Sequence, residues 1–278
     1  MADLFKEKWD LFCENLKDIG SIVESESSLS EIDQAEGYRY LLRLLRLSLE
    51  MNLEHSSSST PSFYSLSHET AKIGADNPDN IYLNANIDGK QEYKVSGNIG
   101  ELNYLSFGLK ENRYSIDGTM ISLGEIDMKD MNIEDSGDFV LYLGGSKESK
   151  NFLAMPKNTN MLIVRQTYKD RINQTHAKIN IKTINAKASP ELLSPDKLEN
   201  QLNQSLAFVR GTASTFLIWV KDFKKIIKIL CRLVIKVFFK LQEAIQKFAT
   251  YMVITILIKM NACRLQQIFL IANIGIFN

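Results

Sequence analysis

Cysteine, histidine and proline are scarce in this chain of 278 residues, which has three, three and five of them respectively. The cysteines (Cys13, Cys231 and Cys263) are too few and too scattered for a disulfide framework or a zinc site. The motifs typical of serine hydrolases, P-loops, zinc proteases and EF-hands are also missing. We therefore expect no metal and no cofactor, and the sequence assigns no catalytic residue.

Net charge is absent as well, because 33 basic residues balance 33 acidic ones. Hydrophobic residues make up 45% of the chain and charged residues 24%, which is typical of a globular protein. The first residues mix both charges and do not lead into an apolar run, so they do not predict a signal peptide. We expect a soluble, cytoplasmic protein with no nucleic-acid partner, and the oligomeric state stays open.

The charges are unevenly distributed along the chain, and the composition changes near residue 223. Residues 224–278 contain nine Lys and Arg but a single acidic residue, and they have no proline and one glycine. Basic residues recur every four positions at the start of this segment, a pattern that suits an anionic membrane surface. The uncharged run 248–258 is too short to cross a bilayer. A membrane partner is expected only if residues 224–278 are authentic.

Two helices are predicted at the N-terminus. Apolar residues recur at helical spacing from Phe5 to Ile19, and Gly20 is predicted to end this helix. Ser28 and Glu31 have the spacing of a capping box before a second helix that continues to residue 54.

From residue 81 to residue 184 the hydrophobic period changes to two, and turn residues recur about every ten positions. The pair Asp88-Gly89 favours a type I′ hairpin turn. Short strands joined by links of hairpin length favour an antiparallel sandwich or a jelly-roll-like sheet. The predicted strands are 81–86, 92–97, 102–109, 119–123, 138–143, 161–167 and 178–184, and the strand 161–167 is apolar enough to be covered on both faces.

A further helix is predicted to begin at Ser194-Pro195, because serine caps helices and proline is favoured at their first position. Gly211 in its interior indicates close packing or a bend. The predicted fold class is therefore α+β, with an N-terminal helical layer packed on an antiparallel β-sandwich and followed by a helix. The predicted parts are an N-terminal helical region (1–56), a β-sandwich core (57–190), a helix packed on the core (191–223) and a basic apolar tail (224–278).

The densest polar cluster in the sequence is the stretch from Gly74 to Asn80. Its Asp and Asn oxygens could bind a hard cation or a sugar hydroxyl. We favour the alternative that its Asx side chains satisfy the backbone of a tight loop. The candidate ligand-binding residues here are His68, Glu69, Asp76, Asn77 and Asp79.

Arg165 is the sixth candidate, because it follows the most apolar strand segment and could clamp a carboxylate or a phosphate. We favour the alternative that it pairs with an acidic residue of the helical layer. The acidic residues that begin with Glu125 and Asp127 and end with Asp138 match no calcium loop, so we interpret them as a solvated surface loop.

Several short stretches, in order, match one bacterial family. They are residues 35–41, 68–72, 74–82, 117–120, 161–167 and 208–213, within a region that covers about residues 5–223. The chain resembles the family called domain of unknown function 1214. The resemblance implies a β-sandwich-like fold with helical additions, and it brings no established activity from which a catalytic residue could be carried over.

Beyond residue 223 the chain departs from this family, whose members continue with an aromatic-rich β segment. If synonymous codons are chosen for residues 242–248 and translated from the third base of each codon, they can encode GGDPKI. The same frame shift applied to residues 265–278 can give TTNFPDCEYWNFQ. Both look like the missing continuation. We therefore predict that residues 224–278 come from a shifted reading frame, and the alternative is a genuine membrane-binding tail.

Two kinds of function stay open. The absence of catalytic motifs favours a non-catalytic binding or interaction domain with an unknown small ligand. The alternative is an enzyme that acts on a small polar or carbohydrate-like substrate. Convergence of His68, Asp76, Asp79 and Arg165 in one pocket would support the enzyme, and their dispersal would support the binding domain.

Overall fold

The computed structural model describes residues 2–24, 30–74, 76–145, 150–184 and 192–244, and three α-helices and a short 3-10 helix (Met128–Asp130) lie in these ranges. The α-helices are α1 (Ala2–Glu24), α2 (Glu31–Leu49) and α3 (Pro195–Ala244), and a π-helical segment (Glu50–Glu54) extends α2. The strands are β1 (Asn80–Asn86), β2 (Tyr93–Asn98), β3 (Tyr104–Arg113), β4 (Thr119–Asp127), β5 (Asp138–Leu143), β6 (Phe152–Leu153), β7 (Met161–Thr167) and β8 (Lys178–Thr183).

The strands form two four-stranded sheets that share one apolar core. The first sheet has the order β1-β7-β3-β4 and the second has the order β6-β5-β2-β8. All neighbouring strands are antiparallel except the short parallel pair β5–β6. Side chains of both sheets meet between them, for example Phe107 and Phe139, whose ring centroids are 5.6 Å apart. The predicted α+β fold, with helices, two mostly antiparallel sheets and a following helix, is confirmed.

The helices cover part of the outer face of the first sheet. Leu47 and Met51, from α2 and its π-helical extension, pack with Phe208 of α3 against Met161 of β7. On the opposite side of the same strand, Leu162 is buried in the core between the sheets. Strand β7 is therefore covered on both faces at this end, as its continuous apolar sequence predicts.

Two predictions about the helical region are wrong. Helix α1 does not end at Gly20 but continues to Glu24. A Cβ atom at position 20 would lie 3.3 Å from Cε1 of Tyr38, so the glycine serves the close approach of α2 instead of ending the helix. The capping box is formed by Ser30 with Asp33, and the predicted position Ser28 lies outside the described residues.

Helix α3 begins as predicted, because the Ser194 hydroxyl accepts a hydrogen bond of 3.2 Å from the backbone N–H of Lys197. The helix continues past the composition change at residue 223 and is described as far as Ala244, so the residues after 244 lie outside the described part. Gly211 marks close packing, since a Cβ atom there would lie only 1.8 Å from the carbonyl oxygen of Tyr114.

We predict that Gly211→Ala destabilises the protein by about 1–3 kcal/mol, because the new methyl group must displace a backbone carbonyl. At an unhindered helix position the same change would stabilise by about 1 kcal/mol. The measurement is urea unfolding. The control is Asn203→Ala, at an exposed position of the same helix, which we expect to be neutral or slightly stabilising. A Gly211→Ala variant as stable as this control would contradict the packing argument.

Candidate functional site

A pocket of about 410 Å³ opens on the outer face of the first sheet, beside the part that the helices cover. We call it the sheet pocket. Strands β1, β3 and β7 form its floor, and the end of the loop before β1 and one turn of α3 form its walls. Its polar lining consists of Ser67, Asp76, Tyr82, Asn84, Lys110, Tyr114 and Arg165, and Trp219 is on the α3 side.

Strand register places the two cationic residues on one face. Arg165 of β7 lies opposite Ser106 of β3, and Lys110 lies four residues further along β3. Side chains of alternate residues point to the same face of a strand, so Ser106, Gly108 and Lys110 share the outer face with Arg165. Gly108 in turn lies opposite Glu125 of β4, which brings a carboxylate to the same region.

Gly108 lets the two cationic side chains lie side by side. A Cβ atom at this position would be 3.1 Å from Cε of Lys110 and 3.5 Å from Nη1 of Arg165. The space that a side chain would fill is therefore occupied by the two cations. A glycine inside a strand often marks such a close approach.

Lys110 and Arg165 share one carboxylate partner. The Lys110 ammonium donates to the Ser122 hydroxyl at 2.8 Å and lies 4.0 Å from Oε2 of Glu125. Nη1 of Arg165 lies 3.5 Å from Oε1 of the same carboxylate. Both ion-pair distances are long, so the charges are only partly compensated.

Lys110 is 5% exposed, which is unusual for a lysine. Its burial lowers the pKa of its ammonium group, and the positive charge of Arg165 lowers it further, while Glu125 acts in the opposite direction. The site therefore holds an amine that loses its proton more readily than a surface lysine does.

Asp76 supplies a second carboxylate to the sheet pocket. Its Oδ2 atom accepts an ion-pair hydrogen bond of 3.0 Å from Lys72, and its side chain is 6% exposed. Its Oδ1 atom is buried and has no hydrogen-bond partner among the described residues. A buried carboxylate oxygen without a partner is costly, so Asp76 is a candidate for contact with a ligand.

Of the six predicted candidates, Asp76 and Arg165 line the sheet pocket and the other four make contacts elsewhere. His68 accepts a hydrogen bond of 3.0 Å from Arg46, since a guanidinium can only donate, and burial followed by the charge of Arg46 lowers the pKa of His68. Glu69 is exposed and forms an ion pair of 3.0 Å with Arg171.

In the Asx loop, Asn77 makes the kind of backbone hydrogen bond that the structural interpretation expects. Its Oδ1 atom accepts a hydrogen bond of 2.9 Å from the backbone N–H of Asp79, which is the geometry of an Asx turn. Asp79 is exposed, and its carbonyl accepts from the backbone N–H of Tyr168. Within the described residues, no group of three or more His, Cys, Asp or Glu side chains could hold a metal ion.

Two predictions about the charged residues need correction. Glu125 and Asp127 belong to strand β4 and not to a surface loop. Arg165 pairs with Glu125 of the same sheet instead of an acidic residue of the helical layer, because the small residues of β3 allow their side chains to meet across that strand.

Comparison with solved structures supports the fold. No protein-family model matches the chain, and no curated protein matches it. The crystal structure of an uncharacterized protein from Burkholderia cenocepacia matches 81% of this chain at 38% sequence identity with a TM-score of 0.75. The chain spans 63% of that protein's length.

A second structure, the VPA0106 protein from Vibrio parahaemolyticus, matches 38% of this chain and 31% of its own at 17% identity and a TM-score of 0.31, which is too low to carry an argument. Membership of the domain of unknown function 1214 family stays a prediction.

The burial of Lys110 has a consequence for the pH dependence of stability. Between the lowered pKa in the folded protein and the ordinary value of 10.5, the unfolded chain binds more protons at this lysine than the folded one. The free energy of unfolding of the parent should therefore rise with pH relative to that of Lys110→Met across this window. Urea unfolding between neutral and alkaline pH measures this difference.

Lys129→Met is the matched control, because Lys129 is exposed and its hydrogen bond to Asp127 raises its pKa. The contribution of such a group is present below its unfolded pKa and is lost as the pH rises through the folded value. The control difference should therefore be flat and then fall. A Lys110→Met difference with the same flat or falling course would contradict our account of the buried lysine.

Proposed function

We propose that the protein is a binding protein for a small ligand that carries a carboxylate or phosphate group, held in the sheet pocket. The observation that carries this proposal is the pair of cations over Gly108, which share the single carboxylate of Glu125. Charged groups in partly buried sites are retained when a partner compensates them. An anionic ligand would supply the compensation that Glu125 gives only at long distance.

The local charge count favours an anionic ligand. Lys72, Lys110 and Arg165 carry positive charge at the pocket, and Asp76 and Glu125 carry negative charge. One positive charge is left over. Arginine is suited to receive such a ligand because its fork of N–H groups matches the geometry of carboxylate and phosphate oxygens.

Neutral groups could orient the rest of the ligand. The Tyr82 hydroxyl accepts hydrogen bonds from the backbone N–H of Asn77 at 2.9 Å and from Nδ2 of Asn80 at 3.1 Å. Its oxygen is thereby fixed, while its own proton is still available to donate. Ile163 and Trp219 add apolar surface. A volume of about 410 Å³ is within the range of about 300–1,000 Å³ that is common for small-molecule pockets.

The distribution of the predicted residues supports binding over catalysis. Only two of the four residues proposed for an enzyme site line the sheet pocket, and His68 is held by Arg46. The alternative is an enzyme that acts on a carbohydrate-like substrate. A neutral sugar can test this alternative in the same melting-temperature assay.

We predict that inorganic phosphate, lactate or succinate raises the melting temperature of the parent protein beyond the effect of sodium chloride at equal ionic strength. Lys110→Met and Arg165→Met should each weaken binding in isothermal titration by about tenfold or more, because each removes a charge-assisted hydrogen bond. Lys129→Met, which removes an exposed lysine just after strand β4, should bind like the parent.

Two results would contradict this proposal. One is the absence of stabilisation by all three anions. The other is an equal affinity of the parent and of Arg165→Met for these anions. Stabilisation by glucose without any effect of the anions would favour the carbohydrate alternative.

Attachment to a membrane depends on residues 224–278, and most of them lie outside the residues whose side chains are described. No helix in the described part of the chain is both long enough and apolar enough to cross a bilayer. We keep the shifted reading frame as our proposal for this segment.

We predict that the DNA near codon 223 contains an insertion or deletion relative to an intact relative. The alternative frame downstream should then stay open past codon 278. The measurement is the nucleotide sequence of the gene and of one such relative. Stop codons in the alternative frame across this stretch would contradict the shifted frame and favour a genuine tail.

A further inference from the structure

Lys110 is a buried amine that faces a pocket with a second cation beside it. A lysine becomes a nucleophile when it is desolvated or when a neighbouring positive charge disfavours its protonated form. Both conditions hold here, because Lys110 is 5% exposed and its Nζ atom shares the space over Gly108 with the guanidinium of Arg165. A lysine that only neutralised an anion would need neither condition.

Arg165 offers an anchor for an anionic group next to this amine. In the same space, a Cβ atom at position 108 would lie 3.3 Å from Nζ of Lys110 and 3.5 Å from Nη1 of Arg165. A ligand held by Arg165 through a carboxylate would therefore place its adjacent carbon close to the lysine. In an α-keto acid or in glyoxylate, that adjacent carbon is the carbonyl carbon.

We infer that Lys110 forms an imine with a small carbonyl compound whose carboxylate or phosphate group is bound by Arg165. This inference rests on the proposed anion-binding function and names the class of ligand. The lysine is the covalent residue, and Arg165 is the residue that recognises the anionic group.

The chemistry needs no oxidant or reductant. The amine lone pair attacks the carbonyl carbon and forms the C–N bond, while the carbonyl π electrons move to oxygen. A proton passes from nitrogen to that oxygen and gives a carbinolamine. The hydroxyl group then leaves as water with a proton from solvent, and the nitrogen lone pair forms the C=N bond. One amine, one carbonyl and one proton thus give one protonated imine and one water.

The groups around Lys110 fit this sequence of steps. From β4, Glu125 lies 4.0 Å from its Nζ atom and can stabilise the positive charge of the protonated imine. Arg165 of β7 disfavours the protonated amine before the reaction. The other titratable groups that line the pocket are Asp76, which forms an ion pair with Lys72, and the hydroxyls of Tyr82 and Tyr114. Because the free amine is the nucleophile, we expect the rate of imine formation to rise as the pH increases from neutral towards the pKa of Lys110.

The test is reductive trapping in the full-length protein. Glyoxylate and sodium cyanoborohydride are added at neutral pH, and peptide mass spectrometry locates the carboxymethyl group that reduction leaves on lysine. We expect Lys110 to be modified several-fold faster than the exposed Lys129, although it is far less accessible, since its lowered pKa gives a larger free-amine fraction at neutral pH. Lactate, which has the carboxylate but no carbonyl, should slow labelling of Lys110 and leave that of Lys129 unchanged.

A second probe separates the amine from the anion anchor. Acetaldehyde has the carbonyl without the carboxylate, so it should label Lys110 more slowly than glyoxylate does. Arg165→Met should slow the reaction with glyoxylate more than the reaction with acetaldehyde, because acetaldehyde loses only the lowering of the Lys110 pKa by Arg165, whereas glyoxylate also loses its anchor. Competition by lactate needs no variant, so the inference can be tested even if Arg165→Met fails to fold.

The outcomes distinguish this inference from the proposed function. If lactate and phosphate bind but Lys110 is labelled no faster than Lys129, anion binding stands and imine formation is overturned. If glyoxylate and acetaldehyde label Lys110 equally and lactate does not compete, the class of ligand is overturned together with the proposed anion site. Fast, lactate-sensitive labelling by glyoxylate supports both.

Discussion

The helices bury one end of the outer face of the first sheet and leave the other end open. The sheet pocket depends on the border between these two parts. At the Met161 end of β7, the helices bury the outer face with apolar side chains. At the Arg165 end of the same strand, they leave it open. Polar residues on the outer face are therefore only partly desolvated at this border. Such a position strengthens electrostatic interactions without sealing the groups away from a ligand.

This border explains why Lys110 is buried and has a lowered pKa. Lys110 would be an unremarkable surface residue on a strand with a fully exposed face. Here the walls around it include Tyr114, whose ring packs edge-on against Phe208 and Phe216 of α3. The helix thus holds an aromatic wall of the pocket in place, and burial lowers the pKa of Lys110 in that pocket.

Much of the fold could be predicted from local sequence signals. The strands at 138–143 and 161–167 and the start of α3 at Ser194-Pro195 agree with their patterns, because alternation and capping depend on neighbouring residues. The prediction failed at Gly20, where the reason for glycine is contact with another helix. It also failed at Asp88-Gly89, because β1 and β2 belong to different sheets and Gly89 does not have the positive φ of a type I′ turn. A single sequence does not distinguish a glycine that ends a helix from one that allows close packing.

The site was less predictable for the same physical reason. Arg165 and Asp76 could be proposed from their own surroundings in the sequence, but Lys110 and Glu125 could not. Their partnership depends on the register of three strands and on the missing side chain of Gly108. The one available signal was that glycine, which interrupts an otherwise regular strand pattern and indicates a close approach.

The contact between Gly211 and the Tyr114 carbonyl also sets the order in which the protein can assemble. The two residues are far apart along the chain, so the contact closes a long loop and must form after most of the chain has been synthesised. Until α3 docks, Tyr114 lacks its aromatic partners and the sheet pocket lacks its Trp219 side. During synthesis on the ribosome, the two sheets can therefore pair before the sheet pocket is complete, and the wall that Trp219 forms is added late in folding.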